Sequence, residues 1–560
     1  VNILEVKKLF VCKGAACTSA KADDFNNALI EQLEKNDLSS QYKIIETGCS
    51  GSCDFGPIMI VEPENYFYIN LTPEDAKTIV EKHFIDGQIV EDLLYESPET
   101  GEKQKTLNEI AFFKNQKKIS LKDCGKINPV SVEDYLHHDG YKALAQVLHD
   151  MSPKEVIAEV KKSGLRGRGG GGFPTGVKWE ITRNEETKTE DGTKYVICNG
   201  DEGDPGAFMD RSIMEGKPHA VLEAMIIAGY VIGAKQGHIY VRAEYPMAVS
   251  RLEEAIENAR NFGALGYNIF ECGFGFDIKM SIVDGAFVCG EETALINSVQ
   301  GQRGAPRAKP PFPAQKGLWG QPTLINNVET LANIPQIILN GGDWFAQFGT
   351  EDSKGTKVFA LAGDINNTGL IEVPMGTTLR TIIYELGGGI ADNKEFKAAQ
   401  IGGPSGGVLT KEHLDLPLEY DSLLDIGAMM GSGGLVIMDE ETCMVDIARF
   451  YLDFTQDESC GKCTPCRIGT KRMLEILTKI TSGDGENGDL EQLQELAKLV
   501  KNTSLCGLGL SAPNPVLSTI KFFGEEYTAH IQDKICPAGV CENLMGNKTQ
   551  EKEKEIVKNK

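Results

Sequence analysis

The chain has 560 residues, 41% of them hydrophobic and 25% charged, a length beyond what one core organises and a balance typical of soluble globular proteins. Three or four domains are therefore expected, and with no run of eighteen apolar residues direct membrane insertion is not. A formal charge of −24 and an isoelectric point near 4.9 argue against a nucleic-acid footprint, which requires clustered cations.

In chain order, Val1 to Phe10 alternates apolar and charged residues without the apolar core of a signal peptide, so a cytoplasmic location is expected. Residues 1–88 read as a small α/β unit. Strand-like EVKKLFVC, helical DDFNNALIEQLEKN and the strand YKIIET precede a Gly/Cys turn, the strands PIMIVE and YFYIN, and the helix TPEDAKTIVEKHF with Thr72 as its N-cap. Residues 89–127 are polar and weakly periodic, a linker or wrapping arm. From 128 to 350, strands such as KYVICN and HIYVRA alternate with helices such as PHAVLEAMIIAGYVIGA, the pattern of a layered α/β domain. Residues 355–440 hold short strands between Gly, Asn and Asp turns with one short helix, TLRTIIYELGG, and resemble a ubiquitin-like β-grasp insert. Helical periodicity over 441–531 predicts a bundle. A Cys-containing tail, 532–560, ends from Asn547 in a Lys/Glu stretch expected to be disordered.

Fifteen cysteines without an export signal are poor candidates for a disulfide framework, so their spacing decides their role. Cys12 and Cys17, with Cys49 and Cys53, place four thiols on two Gly/Ser-filled turns, which suits one [2Fe-2S] cluster. Gly14, Gly48 and Gly51 let backbone N–H groups turn toward the cluster sulfurs. Zinc or a redox dithiol is the rival reading. This segment resembles the thioredoxin-like [2Fe-2S] ferredoxins in its four cysteines and its strand–helix order. Cys460, Cys463 and Cys466 form a C-x2-C-x2-C run, and Cys506 follows as a remote fourth thiol, the ligation pattern of a [4Fe-4S] cluster. Zinc is again the alternative. A weaker group, His530, Cys536 and Cys541 with Cys443, mixes imidazole and thiolate and suits Zn2+. Its alternatives are ordinary thiols with a surface His, or a second small cluster. Cys124, Cys198, Cys272 and Cys289 read as buried small hydrophobes.

Gly167, Gly169 and Gly172 spell a formal G-x-G-x-x-G. It follows a helical stretch rather than a strand, and Phe173-Pro174 interrupts any receiving helix, so it is not read as a Rossmann fingerprint. Five glycines in six residues strip the Cβ atoms from a run of backbone, so a flat ring or phosphate can approach peptide N–H groups. Lys178 would neutralise a phosphate and Phe173 would stack on a base; a merely flexible loop is the alternative.

Three further stretches, NGDEGDPGAFMDR from Asn199, GAFVCGEETALINS from Gly285 and RAKPPFPAQKGLWGQPTLINNVET from Arg307, follow in order between the glycine run and C-x2-C-x2-C. Together they closely resemble the flavin-carrying, NADH-oxidising subunit of respiratory complex I and its soluble relatives, over about residues 128–520. The N-terminal ferredoxin-like unit and the His/Cys tail are additions that are most similar to the β subunits of electron-bifurcating hydrogenases, formate dehydrogenases and transhydrogenases. The resemblance implies a multidomain α/β chain: a thioredoxin-like [2Fe-2S] domain, a Rossmann-like α/β FMN domain, a β-grasp insert and a helical bundle with a [4Fe-4S] cluster. It implies that Gly167, Gly169, Gly170, Lys178, Asn199, Asp201, Glu202, Gly290, Glu291, Asn326 and Asn327 surround FMN. Phe173, Glu292, Lys309 and Phe312 would face NAD(H), with Asp204 and Glu292 near the reacting rings. The sequence departs from the complex I pattern at Asp204, where Glu is usual, at Phe287, where Tyr is usual, and at Ile181, where an aromatic often packs adenine.

No acid–base or nucleophilic constellation is needed, because the cofactors carry the hydride chemistry. The expected protein is an FMN- and iron-sulfur-dependent NAD(H) oxidoreductase subunit of an electron-bifurcating complex. Its expected partners are a small [2Fe-2S] ferredoxin-like subunit, a larger iron-sulfur catalytic subunit and ferredoxin. A non-bifurcating NADH dehydrogenase module and a flavin-free relay subunit are the alternatives.

Overall fold

The computed structural model describes residues 6–98, 100–187 and 192–544. The tail expected from Asn547 lies outside them. At the N-terminus, Tyr42–Thr47, Lys7–Cys12, Met59–Val61 and Tyr66–Tyr68 lie side by side in that order, the first pair parallel and the others antiparallel. Cys12 pairs with Thr47 at the end of the parallel pair. Parallel strands end on one edge, so the two cysteine-bearing turns leave the sheet together. Helix Ala22–Lys35 buries Phe25, Leu29 and Leu33 against Leu9 and Val11. Thr72 is the N-cap of the next helix, and its backbone N–H donates to the Asp75 carboxylate at 2.8 Å.

Residues 89–127 pack as an arm rather than hang as a spacer. A hairpin pairs Tyr95–Glu96 with Lys103–Gln104, and the short helix Ala111–Lys114 drives Phe112 edge-on against Phe55, ring centres 6.0 Å apart. The Ser120 and Leu121 N–H groups both donate to the Glu372 carboxylate at 2.9 Å, tying the arm to the strand Gly369–Pro374.

The central sheet is wholly parallel, in the order Thr323–Asn327, Tyr195–Gly200, Gln236–Arg242, Asp277–Val283. Its apolar helix Pro218–Ile232 is buried on all sides except at Tyr230, as a helix without a polar face must be. The first three strands in sequence run one way across the sheet and the fourth returns to the other side of the first. That reversal leaves a crevice between the C-terminal ends of Tyr195–Gly200 and Thr323–Asn327, the place where open α/β sheets receive ligands.

A third sheet takes the order Gly369–Pro374, Thr356–Gly363, Gly434–Asp439, Phe396–Ile401, Gly407–Thr410. It faces the N-terminal unit, and Leu370 N–H donates to Gly51 O at 2.8 Å. Helices Met444–Asp457, Thr464–Thr481, Asp489–Thr503 and Asn514–Thr528 form the C-terminal bundle. The stretch after Ile531 folds back into it, burying Cys536, Cys541 and Leu544 in the bundle core. Among the described residues no helix is long and apolar enough to cross a membrane.

Because Phe112 is fully buried between the N-terminal unit and the third sheet, Phe112→Ala should cost about 3–5 kcal/mol. Limited proteolysis should then cut within 89–127 several times faster than in the parent. Unchanged cleavage would mean that the arm is not held by this ring.

Candidate cofactor cavity and metal centres

The glycine run Gly164–Gly172 connects helix Pro153–Lys162 to helix Thr175–Asn184 as a closed loop whose ends pair, Gly167 N–H donating to Phe173 O at 2.8 Å. Arg168, in its middle, is fully buried. Its backbone N–H donates to Thr330 Oγ1 at 2.8 Å, and its guanidinium to the carbonyls of Thr356 at 3.0 Å and Lys354 at 2.6 Å. Tyr420 OH holds Gly167 O at 2.8 Å, and Gly170 bridges to Gly431 on the third-sheet unit. Gly170 sits at φ 109°, a conformation closed to side-chain-bearing residues.

This loop roofs a cavity of about 470 Å³ over the crevice. Fourteen of the fifteen residues expected at FMN or NAD(H) line it: Gly167, Gly169, Gly170, Phe173, Lys178, Asn199, Asp201, Glu202, Gly290, Glu291, Glu292, Lys309, Asn326 and Asn327. Asp204 and Phe287 line it too. Asn199 and Asn327 are register partners at the ends of adjacent strands, which is why residues far apart in sequence meet here. Phe312 is the exception. It is 53% exposed and outside the cavity, and its chain neighbour Pro311 lines a separate open hollow of about 780 Å³ together with Ile181.

The sequence reading missed the far wall, Gly402, Ser405, Met429, Gly431 and Ser432 from the third-sheet unit and Gly507, Leu508 and Ser511 from the bundle. The runs GGPSGG and GSGG were its only sequence signal. They allow an approach so close that a Cβ on Gly431 would fall 2.4 Å from Gly402 Cα.

Two lysine–carboxylate pairs cross the cavity, Lys178 to Glu292 at 2.6 Å and Lys309 to Glu291 at 2.8 Å. The buried acids are less well matched. Both Asp201 carboxylate oxygens lack a hydrogen-bond partner, with Arg242 Nε 3.8 Å away, and burial pushes its pKa up to about 7. Asp204 is also pushed up to about 7 by burial, against one hydrogen bond from Ser432 Oγ at 2.9 Å. Its short side chain fits because Gly403 leaves room: a Cβ there would stand 2.9 Å from Asp204 Cγ. Glu202 is raised by burial and held by the N–H groups of Arg211 and Asp210 at 2.9 and 3.0 Å. Orphaned buried acceptors in a glycine cradle fit a ligand rich in hydroxyls with a flat ring.

The cysteine groups gather as three centres. Cys49 Sγ and Cys53 Sγ are 3.6 Å apart, Gly51 N–H points at Cys49 Sγ at 3.3 Å, and Gly14 N–H points at Cys12 Sγ at 3.5 Å. A Cβ on Gly56 would stand 2.7 Å from Cys17 Sγ, so the fourth thiol also needs a bare backbone beside it. Cys460, Cys463, Cys466 and Cys506 line one pocket with Val288 and Leu508, and both of these side chains also line the large cavity. In the third centre, Cys443, His530, Cys536 and Cys541 bring their ligand atoms within 4.8 Å of one another, all four buried. His530 Nδ1–H donates to Glu526 O at 2.7 Å, which leaves Nε2 facing the thiols. The alternative of a surface His is thus corrected: His530 is fully buried. Of the four unassigned cysteines, Cys124, Cys198 and Cys289 are buried and Cys272 only partly.

For the flavin-free chain the raised carboxyls carry a pH signature. Asp201 and Asp204 titrate near 3.8 unfolded and about 7 folded, so the folded chain binds more protons and loses stability as pH rises across that window. Asn at either position removes that residue's share of the loss. The melting-temperature gap between Asp204→Asn and parent should widen from pH 4 to pH 8, and a constant gap would contradict the assignment.

Four family models match in chain order: the thioredoxin-like [2Fe-2S] ferredoxin over residues 5–83, the Nuo51 FMN-binding domain over 160–336, the SLBB domain over 358–409, and the NADH-ubiquinone oxidoreductase-F iron-sulfur binding region over 446–530. The chain is 58% identical over 432 residues to the NADP-reducing hydrogenase subunit HndC of Solidesulfovibrio fructosivorans, covering 77% of this chain and 87% of that one. It is 40% identical over 425 residues to an NADH-quinone oxidoreductase subunit of Escherichia coli (strain K12), covering 76% and 95%. Among solved structures, a chain of the NAD+-reducing [NiFe]-hydrogenase in its H2-reduced state is similar at a TM-score of 0.66 and 30% identity, over 94% of this chain and 84% of that one. With the switch-point cavity and the cysteine centres in place, the chain belongs to the family of FMN-binding, NADH-oxidising iron-sulfur subunits of the complex I 51 kDa type.

Proposed function

We propose that this chain is the NAD(H)-handling subunit of a flavin-based electron-bifurcating complex that uses ferredoxin, assembled with a small [2Fe-2S] ferredoxin-like subunit and a larger iron-sulfur catalytic subunit. Membership in a family of subunits of hydrogenase and complex I assemblies supports the hetero-oligomer. FMN, when bound, supplies the exchange between a hydride and single electrons. The glycine loop would bring backbone free of Cβ atoms against the ring, Asp201 would accept hydroxyls with its unpartnered oxygens, and Asn326 and Asn327 would line the inner edge. Lys178 and Lys309, each held by a glutamate, place positive charge for phosphates while Glu291 and Glu292 remain to accept ribose hydroxyls. Phe173, 48% exposed at the cavity, offers its face to the nicotinamide, with Phe312 farther out. Asp204, with a pKa near 7, is able to hold or release a proton beside the reacting ring at working pH.

The observation that carries this reading is the shared wall: Val288 and Leu508 belong both to the cavity and to the pocket of Cys460, Cys463, Cys466 and Cys506. A [4Fe-4S] cluster held by those four thiols would be separated from the cavity by the side chains of Val288 and Leu508. On another flank, helix Met209–Gly216 runs from Asp210 in the cavity to Gly216, which abuts Gly48 beside the N-terminal cysteines. Six residues of helix span only about 9 Å. Two separate one-electron exits from one hydride acceptor are what bifurcation requires.

In the purified complex, NAD+ reduction should need a low-potential donor, reduced ferredoxin, together with a second donor of higher potential. If either donor alone sustains the rate, the module is an ordinary NADH dehydrogenase. A yellow flavin band that bleaches with NADH is expected, and colour from iron-sulfur alone would leave only a relay role.

The third centre is proposed to hold one structural Zn2+ on Cys443, His530, Cys536 and Cys541, pinning residues 536–541 to the start of helix Met444–Asp457. Elemental analysis should return one zinc per chain. Iron without zinc would refute it.

A further inference from the structure

The N-terminal cysteine turns are not left to their own domain. Arg251, on helix Pro246–Phe262 of the central unit, reaches across to donate to Lys13 O at 2.7 Å, the carbonyl immediately after Cys12. Its other terminal nitrogen donates to Glu215 O at 2.7 Å. From the opposite direction Lys118, on the arm, donates to Ser50 O at 2.9 Å, the carbonyl immediately after Cys49. Neither cation lies within 4.0 Å of a carboxylate oxygen among the described residues. The nearby acids have other hydrogen-bond partners as well: Glu215 accepts from Ala15 N–H at 3.3 Å with Arg211 at 3.9 Å, Glu46 accepts from Asn26 at 2.7 Å, and Glu372 holds the arm, while Glu215 and Glu46 also act on Arg251, and Glu372 on Lys118, through space.

We propose that Arg251 and Lys118, both supplied from outside the thioredoxin-like unit, tune the N-terminal [2Fe-2S] centre, holding it at a higher reduction potential than that unit alone would give. This rests on the reading that Cys12, Cys17, Cys49 and Cys53 hold such a cluster. Reduction adds one electron, and no bond is made or broken, so the centre gains one negative charge. A guanidinium and an ammonium fixed in a partly desolvated interface stabilise that added charge, because net local charge and solvent exposure are what set such potentials. Arg251 is the stronger partner, since its charge is permanent. The potential thereby depends on three separate stretches of chain staying docked.

The test is an anaerobic, EPR-monitored redox titration of the full-length chain with dithionite, the [4Fe-4S] signal serving as internal reference. At a fixed poise, Arg251→Gln is expected to lower the reduced-to-oxidised ratio of the [2Fe-2S] centre about tenfold, 59 mV for a one-electron couple. Lys118→Gln should move it in the same direction, Arg251→Lys should restore most of the ratio, and the [4Fe-4S] ratio should stay put. Variants with full iron content and an unmoved [2Fe-2S] ratio overturn the proposal. Should Arg251→Gln fail to take up iron, Lys118→Gln and Arg251→Lys decide it by the same ratios. Absence of any [2Fe-2S] signal in the parent chain sinks the four-cysteine reading first, and the inference with it.

Discussion

The arrangement depends on one buried guanidinium. A run with glycine at 167, 169, 170, 171 and 172 has almost no side chains to pack, and its conformational entropy alone would leave it mobile. Arg168 interrupts the run and is buried completely, its guanidinium pinned to the carbonyls of Thr356 and Lys354 and its N–H to Thr330. The loop therefore combines bare peptide edges with a fixed position, the two properties a flat redox ring needs. The anchor also ties the loop to the helix that follows the central sheet and to the strand Thr356–Gly363 of the third sheet, joining the cavity's roof to its wall.

Around that loop the protein accepts a cost in stability. Asp201, Glu202, Asp204 and Asp210 are taken out of water in the floor of the cavity, and burial raises the pKa of each. Carboxylates that are buried with few partners destabilise a fold unless a ligand completes them. Lys357, paired with Glu329 and almost unexposed, favours the charged forms of Glu202 and Asp210, while Glu329 itself adds to the repulsion on Asp210. The pattern is that of a site built to be filled.

Much of the chemistry was readable from spacing. C-x2-C-x2-C places three thiols in one pocket because they lie on a single turn and helix start, and the glycine run announces a close backbone approach. The fourth ligands were harder. Cys506 and Cys443 are separated from their partners by tens of residues, and only helix packing brings Cys506 to Cys466 or Cys443 to His530. Phe312 shows the opposite failure: its motif lies near the cavity in sequence, but its loop turns the ring outward.

The sequence by itself determined the order of units, which cysteines group by spacing and most of the residues at the strand ends, because strand alternation, turn glycines and ligand spacing are local properties carried by neighbouring residues. Only the tertiary structure decided which distant glycines close the cavity, that Val288 and Leu508 stand between cavity and cluster pocket, and that Arg251 and Lys118 reach the N-terminal turns. The physical reason is that these contacts are made by long-range packing between sheets and helices. Their strength depends on desolvation and distance in three dimensions, and no periodicity along the chain encodes either.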